Sequence, residues 1–106
     1  MELTAEQLQS NWETFNNNIS DHITGERQQK LIDFYGKYEE RIILMPASHK
    51  KEYHSAFPGG YVDHVNRVVD ASLKMYGVWE QFGMDTSTFT IEELVFSAIN
   101  HDLGKM

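Results

Sequence analysis

A chain of 106 residues with 41% hydrophobic content and a formal charge of −7 has room for one modest core and no second domain. The absence of cysteine excludes a disulfide framework and a thiolate metal site, so any metal must be held by His, Asp, Glu or water. No apolar run approaches the roughly 20 residues that span a bilayer, and Met1-Glu2-Leu3-Thr4 lacks the basic flank and apolar core of a signal peptide, so a cytoplasmic protein is expected.

The first helix is announced by Thr4-Ala5-Glu6-Gln7, where Thr4 is an N-cap and Gln7 completes a capping box. Leu8, Trp12, Phe15 and Ile19 follow at helical spacing, and the pattern fades in Asn16-Asn17-Asn18 and Ser20-Asp21. That places a helix near 4–19 and leaves His22 in the loop after it, a surface histidine.

A second helix is expected near 25–44. Leu31, Phe34, Tyr35, Tyr38, Ile42 and Ile43 give it a broad apolar face, with Glu39, Glu40 and Arg41 on the other side. An aromatic stripe can serve as a stacking platform for bases, but here no basic residues are interleaved and the spacing is that of a buried face. Gly36 weakens the helical pattern locally.

Pro46 ends this helix, and the stretch from Met45 to Gly60 is the longest without periodicity. Long ordered loops tend to be functional. This one carries His49 beside Lys50-Lys51, which reads as solvated, and His54 between Tyr53 and Phe57, which reads as more enclosed.

The third helix, near 60–76, follows Gly59-Gly60 and carries Val62, Val65, Val68, Val69, Leu73 and Tyr76. It breaks at Gly77 or at Gly83. His64 stands in its second turn after Asp63, where a lone histidine reads as packed or capping. Thr90-Ile91-Glu92-Glu93 is another capping box and opens a final helix near 91–102 with Ile91, Leu94, Val95, Ala98 and Ile99 as its buried stripe. The β-branched residues occur at helical spacing and no hairpin signal appears, so the expected fold class is all-α.

His101-Asp102 closes that last helix, followed by Leu103-Gly104-Lys105. Imidazole next to carboxylate is a metal-ligand pair in type, and a divalent cation with mixed nitrogen and oxygen ligands is the usual tool for turning water on a phosphate ester. As a dipeptide the pair is common, and its weight depends on upstream partners.

Three pieces of sequence in order supply them. They are Pro46-Ala47-Ser48 at the end of the second helix; His54-x-Ala56-Phe57-x-Gly59-Gly60-x-x-x-His64; and His101-Asp102-Leu103-Gly104-Lys105. In this combination the chain resembles the HD-domain metal-dependent phosphohydrolases, in particular the bacterial and phage branch related to a 3′→5′ exoribonuclease group. The resemblance covers roughly the second half of the chain.

It implies an HD-like helical bundle in which His64, His101 and Asp102 are metal ligands and Asp102 also holds the attacking water. It further implies that Lys105 meets a phosphate oxygen and that His54 stands on the substrate side. The implied cofactor is a divalent ion, Mn, Fe, Ni, Co or Mg, because the family's metal is variable. The family pattern continues with an aspartate on a later helix, so the chain is expected to be the N-terminal portion of such a domain, incomplete at its C-terminus. The chain is then expected to be the front portion of a longer protein; the alternative is a short product that is inactive or is completed by a second copy or a complementary chain.

The substrate implied is a nucleotide or single-stranded nucleic acid. The charge of −7 and the lack of a basic stripe exclude general duplex binding and favour a small nucleotide over an RNA strand. The alternatives are therefore a 3′→5′ exoribonuclease and, from another class, a non-catalytic helical interaction module with a vestigial or partner-completed site.

Overall fold

In the computed structural model the described residues are 3–46, 57–86 and 90–101. Among them the protein is all-α, with no strand and five helices: α1 (Ala5–His22), α2 (Gly25–Lys37), α3 (Glu39–Leu44), α4 (Gly60–Gln81) and α5 (Ile91–Asn100). No helix among these residues is long and apolar enough to cross a membrane.

The first helix forms as its capping box requires. The Gln7 amide donates to Thr4 Oγ1 at 3.1 Å, and the Thr4 amide donates to Gln7 Oε1 at 2.8 Å. The helix runs a turn beyond the expected end near residue 19, so His22 belongs to its last turn and not to a loop, and it is half-buried. The polar run of asparagines does not stop it, because Ile19 and Ile23 are both fully buried and carry the apolar face through that turn. Gln28 then secures the connection to α2 by donating through Nε2 to the carbonyls of Ile23 and Ser20.

The single helix expected near 25–44 is in fact two. At Tyr38 (φ −110°, ψ 18°) the amide turns back to the Tyr35 carbonyl at 3.2 Å, and the Ile42 amide restarts the ladder on the Tyr38 carbonyl at 2.9 Å. This break lets Tyr35 and Ile42 both reach full burial, while Phe34 is left at 38% exposure. Gly36 in the turn before the break has low helical propensity, which lowers the cost of interrupting the helix there.

Helix α4 is longer than expected and passes through Gly77 without interruption. It closes at Gly83, whose φ of +73° suits a glycine. The Gly83 amide donates to the Glu80 carbonyl and the Met84 amide to the Trp79 carbonyl, both at 3.0 Å, which is a Schellman ending.

The core is a shared one. Trp12, Phe15 and Ile19 from α1 meet Tyr35, Ile42, the α4 residues Tyr61, Val62, Val65 and Val69, and Val95, Ala98 and Ile99 from α5. Phe15 sits at its centre, stacked on Trp12 (ring centroids 5.4 Å) and edge-on to Tyr35 (4.9 Å). Helix α4 packs most extensively against α5 and then against α1. Ile91, expected in the buried stripe of α5, is 41% exposed because it opens the helix where the stripe has not yet reached the core.

Two outcomes check this packing. Phe15→Ala should cost about 3–5 kcal/mol in urea unfolding, a large share of the roughly 5–15 kcal/mol that holds a small domain. Burial, with the neighbouring Tyr61 adding to it, also pushes the Tyr35 phenol above its ordinary value of about 10. The fold favours the neutral phenol, so this contribution is intact below about pH 10 and is lost as the pH rises further. Unfolding midpoints should therefore fall more steeply above about pH 10 in the parent protein than in Tyr35→Phe.

Candidate functional site

The backbone at the start of α4 decides where His64 stands. Gly59 caps this helix in the left-handed region (φ +84°), and the buried turn is tied down by Gly60 N–H to Phe57 O at 2.8 Å and Tyr61 N–H to Met45 O at 2.9 Å. A methyl group at Gly59 would run into the Leu8 side chain and come within 3.2 Å of Leu3 Cδ1 and 3.4 Å of the Ile43 carbonyl. Gly59 thus admits both the φ and the close approach of three elements. Five residues later His64 is half-buried, while Asp63 turns to Arg67 in an i,i+4 pair at 2.9 Å.

The other half of the site is the end of α5. Thr90 opens this helix by accepting from the Glu93 amide at 3.1 Å. Glu92 ties the same turn to α2, since its Oε1 accepts from the Thr24 amide at 2.8 Å and the Thr24 hydroxyl at 3.2 Å. The stripe Val95, Ala98 and Ile99 locks the helix on the core, which leaves His101 at its C-cap with an exposed ring.

There the two histidines meet. The ring centroids of His64 and His101 are 5.4 Å apart and their planes are inclined by 56°. His101 Nδ1 lies 2.6 Å from the carbonyl oxygen of Ala98. A carbonyl can only accept, so Nδ1 is the protonated nitrogen, and in the neutral ring the lone pair is on Nε2. Metal-ligating histidines commonly have their other nitrogen engaged in this way, which fixes both tautomer and ring orientation.

The donor chemistry fits a divalent ion as far as these two residues go. An ion about 2.1 Å from one nitrogen of each ring would set the ring centres about 4.5–5.5 Å apart. Among the described residues no group of three or more His, Asp or Glu side chains gathers around a common point. The remaining expected positions, His54, Asp102 and Lys105, lie outside the described residues. Comparison of the chain with protein-family models, with curated proteins and with solved structures found no match in any of the three.

One feature of this region has no counterpart in the motif reading. The Tyr35 hydroxyl donates to Asn100 Oδ1 at 2.6 Å, and Asn100 Nδ2 donates to the Phe96 carbonyl at 2.8 Å. The signal for it was present, because an asparagine at the end of an apolar helical run needs a partner, and Tyr35 brings the polar atom on the facing α2 stripe.

The Gly59 turn offers a check that needs no ligand. Gly59→Ala should destabilise the protein by about 1–2 kcal/mol for the left-handed backbone alone. The His64 ring resonances should shift with it. Unchanged stability in thermal unfolding would show that the turn is not constrained as described.

Proposed function

We propose that this chain carries the metal-binding histidines of an HD-type phosphohydrolase, acting on a phosphate ester of a nucleotide or a nucleic acid. The observation that carries the reading is the approach of His64 and His101 from different helices, with Nδ1 of His101 already spent on Ala98 O. The sequence places Asp102 next to this pair and Lys105 just beyond, in the types and order of the HD motif.

When bound, a divalent ion lowers the pKa of water toward neutrality and offsets charge building on the phosphoryl oxygens. The chain's own residues supply the rest. His64 and His101 would each offer an imidazole nitrogen to such an ion, and the Ala98 carbonyl would keep the His101 ring in the tautomer that presents Nε2. Asp102 provides the carboxylate that accepts a proton from the attacking water. Lys105 provides a cation for a non-bridging phosphate oxygen. Water oxygen joins phosphorus, the bond from phosphorus to the leaving oxygen breaks, and that oxygen departs protonated. No covalent enzyme intermediate is needed.

Within this reading a small nucleotide is favoured over single-stranded RNA, since a chain of net charge −7 with no basic stripe gains little from a long polyanion.

A second reading, a helical interaction module, draws on a separate observation. Met75, Val78, Trp79 and Phe82 follow i, i+3, i+4, i+7 along the outer part of α4 and are exposed, with Phe82 at 80%. Such a stripe is typical of a helix face that meets a partner.

The two readings part on activity. The full-length protein should hydrolyse bis(p-nitrophenyl) phosphate or a nucleoside monophosphate with at least one of Mn, Co, Ni, Fe or Mg, and a chelator should stop it. Asp102→Ala and His64→Ala should each lower the rate at least about 100-fold, the upper end of what losing even an outer partner of a metal site costs. No hydrolysis with any of these ions, or retained activity in both variants, would overturn the phosphohydrolase reading.

A further inference from the structure

We propose that Tyr35 and Asn100 are positioning residues for the ion-binding face of His101: a hydrogen-bonded chain that runs from the buried core through Tyr35 and Asn100 holds the last turn of α5 so that the His101 ring meets His64. The inference rests on the reading of His64 and His101 as ligands and adds to it the residues that hold them in register.

The end of a helix is where its backbone is least determined, because the last four carbonyls have no intrahelical amide to accept from. A ligand placed there would ordinarily inherit that looseness. In α5 two side chains take up carbonyls of the final turns. Asn100 Nδ2 donates to Phe96 O at 2.8 Å and His101 Nδ1 donates to Ala98 O at 2.6 Å. The second of these bonds orients the proposed ligand itself.

Asn100 in turn is anchored from outside the helix. Its donor end is on Phe96, so its oxygen faces away from that carbonyl, and the Tyr35 hydroxyl occupies it at 2.6 Å. Tyr35 is fully buried and wedged between Phe15 (4.9 Å) and Phe34 (5.2 Å), so its hydroxyl has a fixed position. The result is a rigid strut from α2 to the residue immediately before His101. A core that needed only volume at this point would take phenylalanine, with no polar atom to satisfy.

Tyr35→Phe removes the hydroxyl and keeps the ring, and Asn100→Ala removes the other partner while leaving Tyr35 in place. Ile19→Val is the control, since it loosens the same core at an α1 residue that makes no ring contact with Tyr35. Each protein is titrated with Co²⁺ and its visible absorption recorded, and the ¹⁵N shifts of the His101 ring are measured without metal.

The expected result is a loss of Co²⁺ affinity of about 10-fold or more in Tyr35→Phe and in Asn100→Ala, with changed absorption bands. The ¹⁵N shifts should show His101 moving from a single Nδ1-protonated tautomer toward a mixture. Ile19→Val should keep both the affinity and the tautomer. If Tyr35→Phe does not fold, Asn100→Ala decides the matter by the same readouts.

Co²⁺ binding and His101 shifts that match the parent protein in both variants would overturn the positioning role and leave the ligand assignment standing. An equal loss in Ile19→Val would also overturn it, by assigning the effect to core packing. A parent protein that binds no Co²⁺ would overturn the ligand assignment and this inference together.

Discussion

The seating of α4 between α1 and α5 is the constraint on which the rest depends. Val62, Val65 and Val69 lie one helical turn apart on a single face, and all three are buried in the core that α4 shares with α1 and α5. β-Branched side chains are stiff about χ1, so a valine stripe sets the rotation of a helix more tightly than a stripe of longer residues would. The Gly59 turn sets where the helix begins, and the stripe sets how it is rotated. Between them they leave little freedom in where the His64 ring goes. The His101 ring is fixed by a similar logic on α5, through Val95, Ala98 and Ile99 on the core side.

The end of α5 shows how a small helical protein can make a precise position out of a helix terminus. Unsatisfied carbonyls are a cost at any helix end. Here the proposed ligand itself covers the Ala98 carbonyl, while its immediate neighbour Asn100 links the Tyr35 hydroxyl to the Phe96 carbonyl one turn back. Such an arrangement sits easily with an exposed His101, because the proposed ligand is at the surface while Tyr35 behind it is in the core.

Much of this fold is legible in the sequence for identifiable reasons. The Thr4–Gln7 box is local and forms as read, whereas the box expected at Thr90–Glu93 forms only as an N-cap, because the Glu93 carboxylate accepts from the Thr90 hydroxyl and not from its amide. The valine stripe of α4 follows from periodicity alone, whereas α5, expected near 91–102, is helical over Ile91–Asn100 among the described residues. What sequence could not supply was set by tertiary packing. The split at Tyr38 arises because Tyr35 and Ile42 must both reach one core, and no local pattern records that. The continuation of α4 past Gly77 to Gln81 depends on which of two glycines provides the positive-φ ending, and only the backbone shows that it is Gly83. The meeting of His64 and His101 was anticipated as a motif. The Tyr35–Asn100 strut was not, since its partners are distant in sequence and neither belongs to a recognised pattern.

Geometry speaks to His64, His101 and the groups that orient them, whereas sequence order speaks to Asp102, Lys105 and His54. The central claim is that His64 and His101 share one ion, and it is tested most directly by diffraction from crystals grown with Mn²⁺, using anomalous scattering at the manganese edge. The account predicts a single strong anomalous peak within bonding distance of both rings, with Nε2 the nitrogen that His101 presents. Well-ordered His64 and His101 rings with no peak between them, at saturating Mn²⁺, would contradict it.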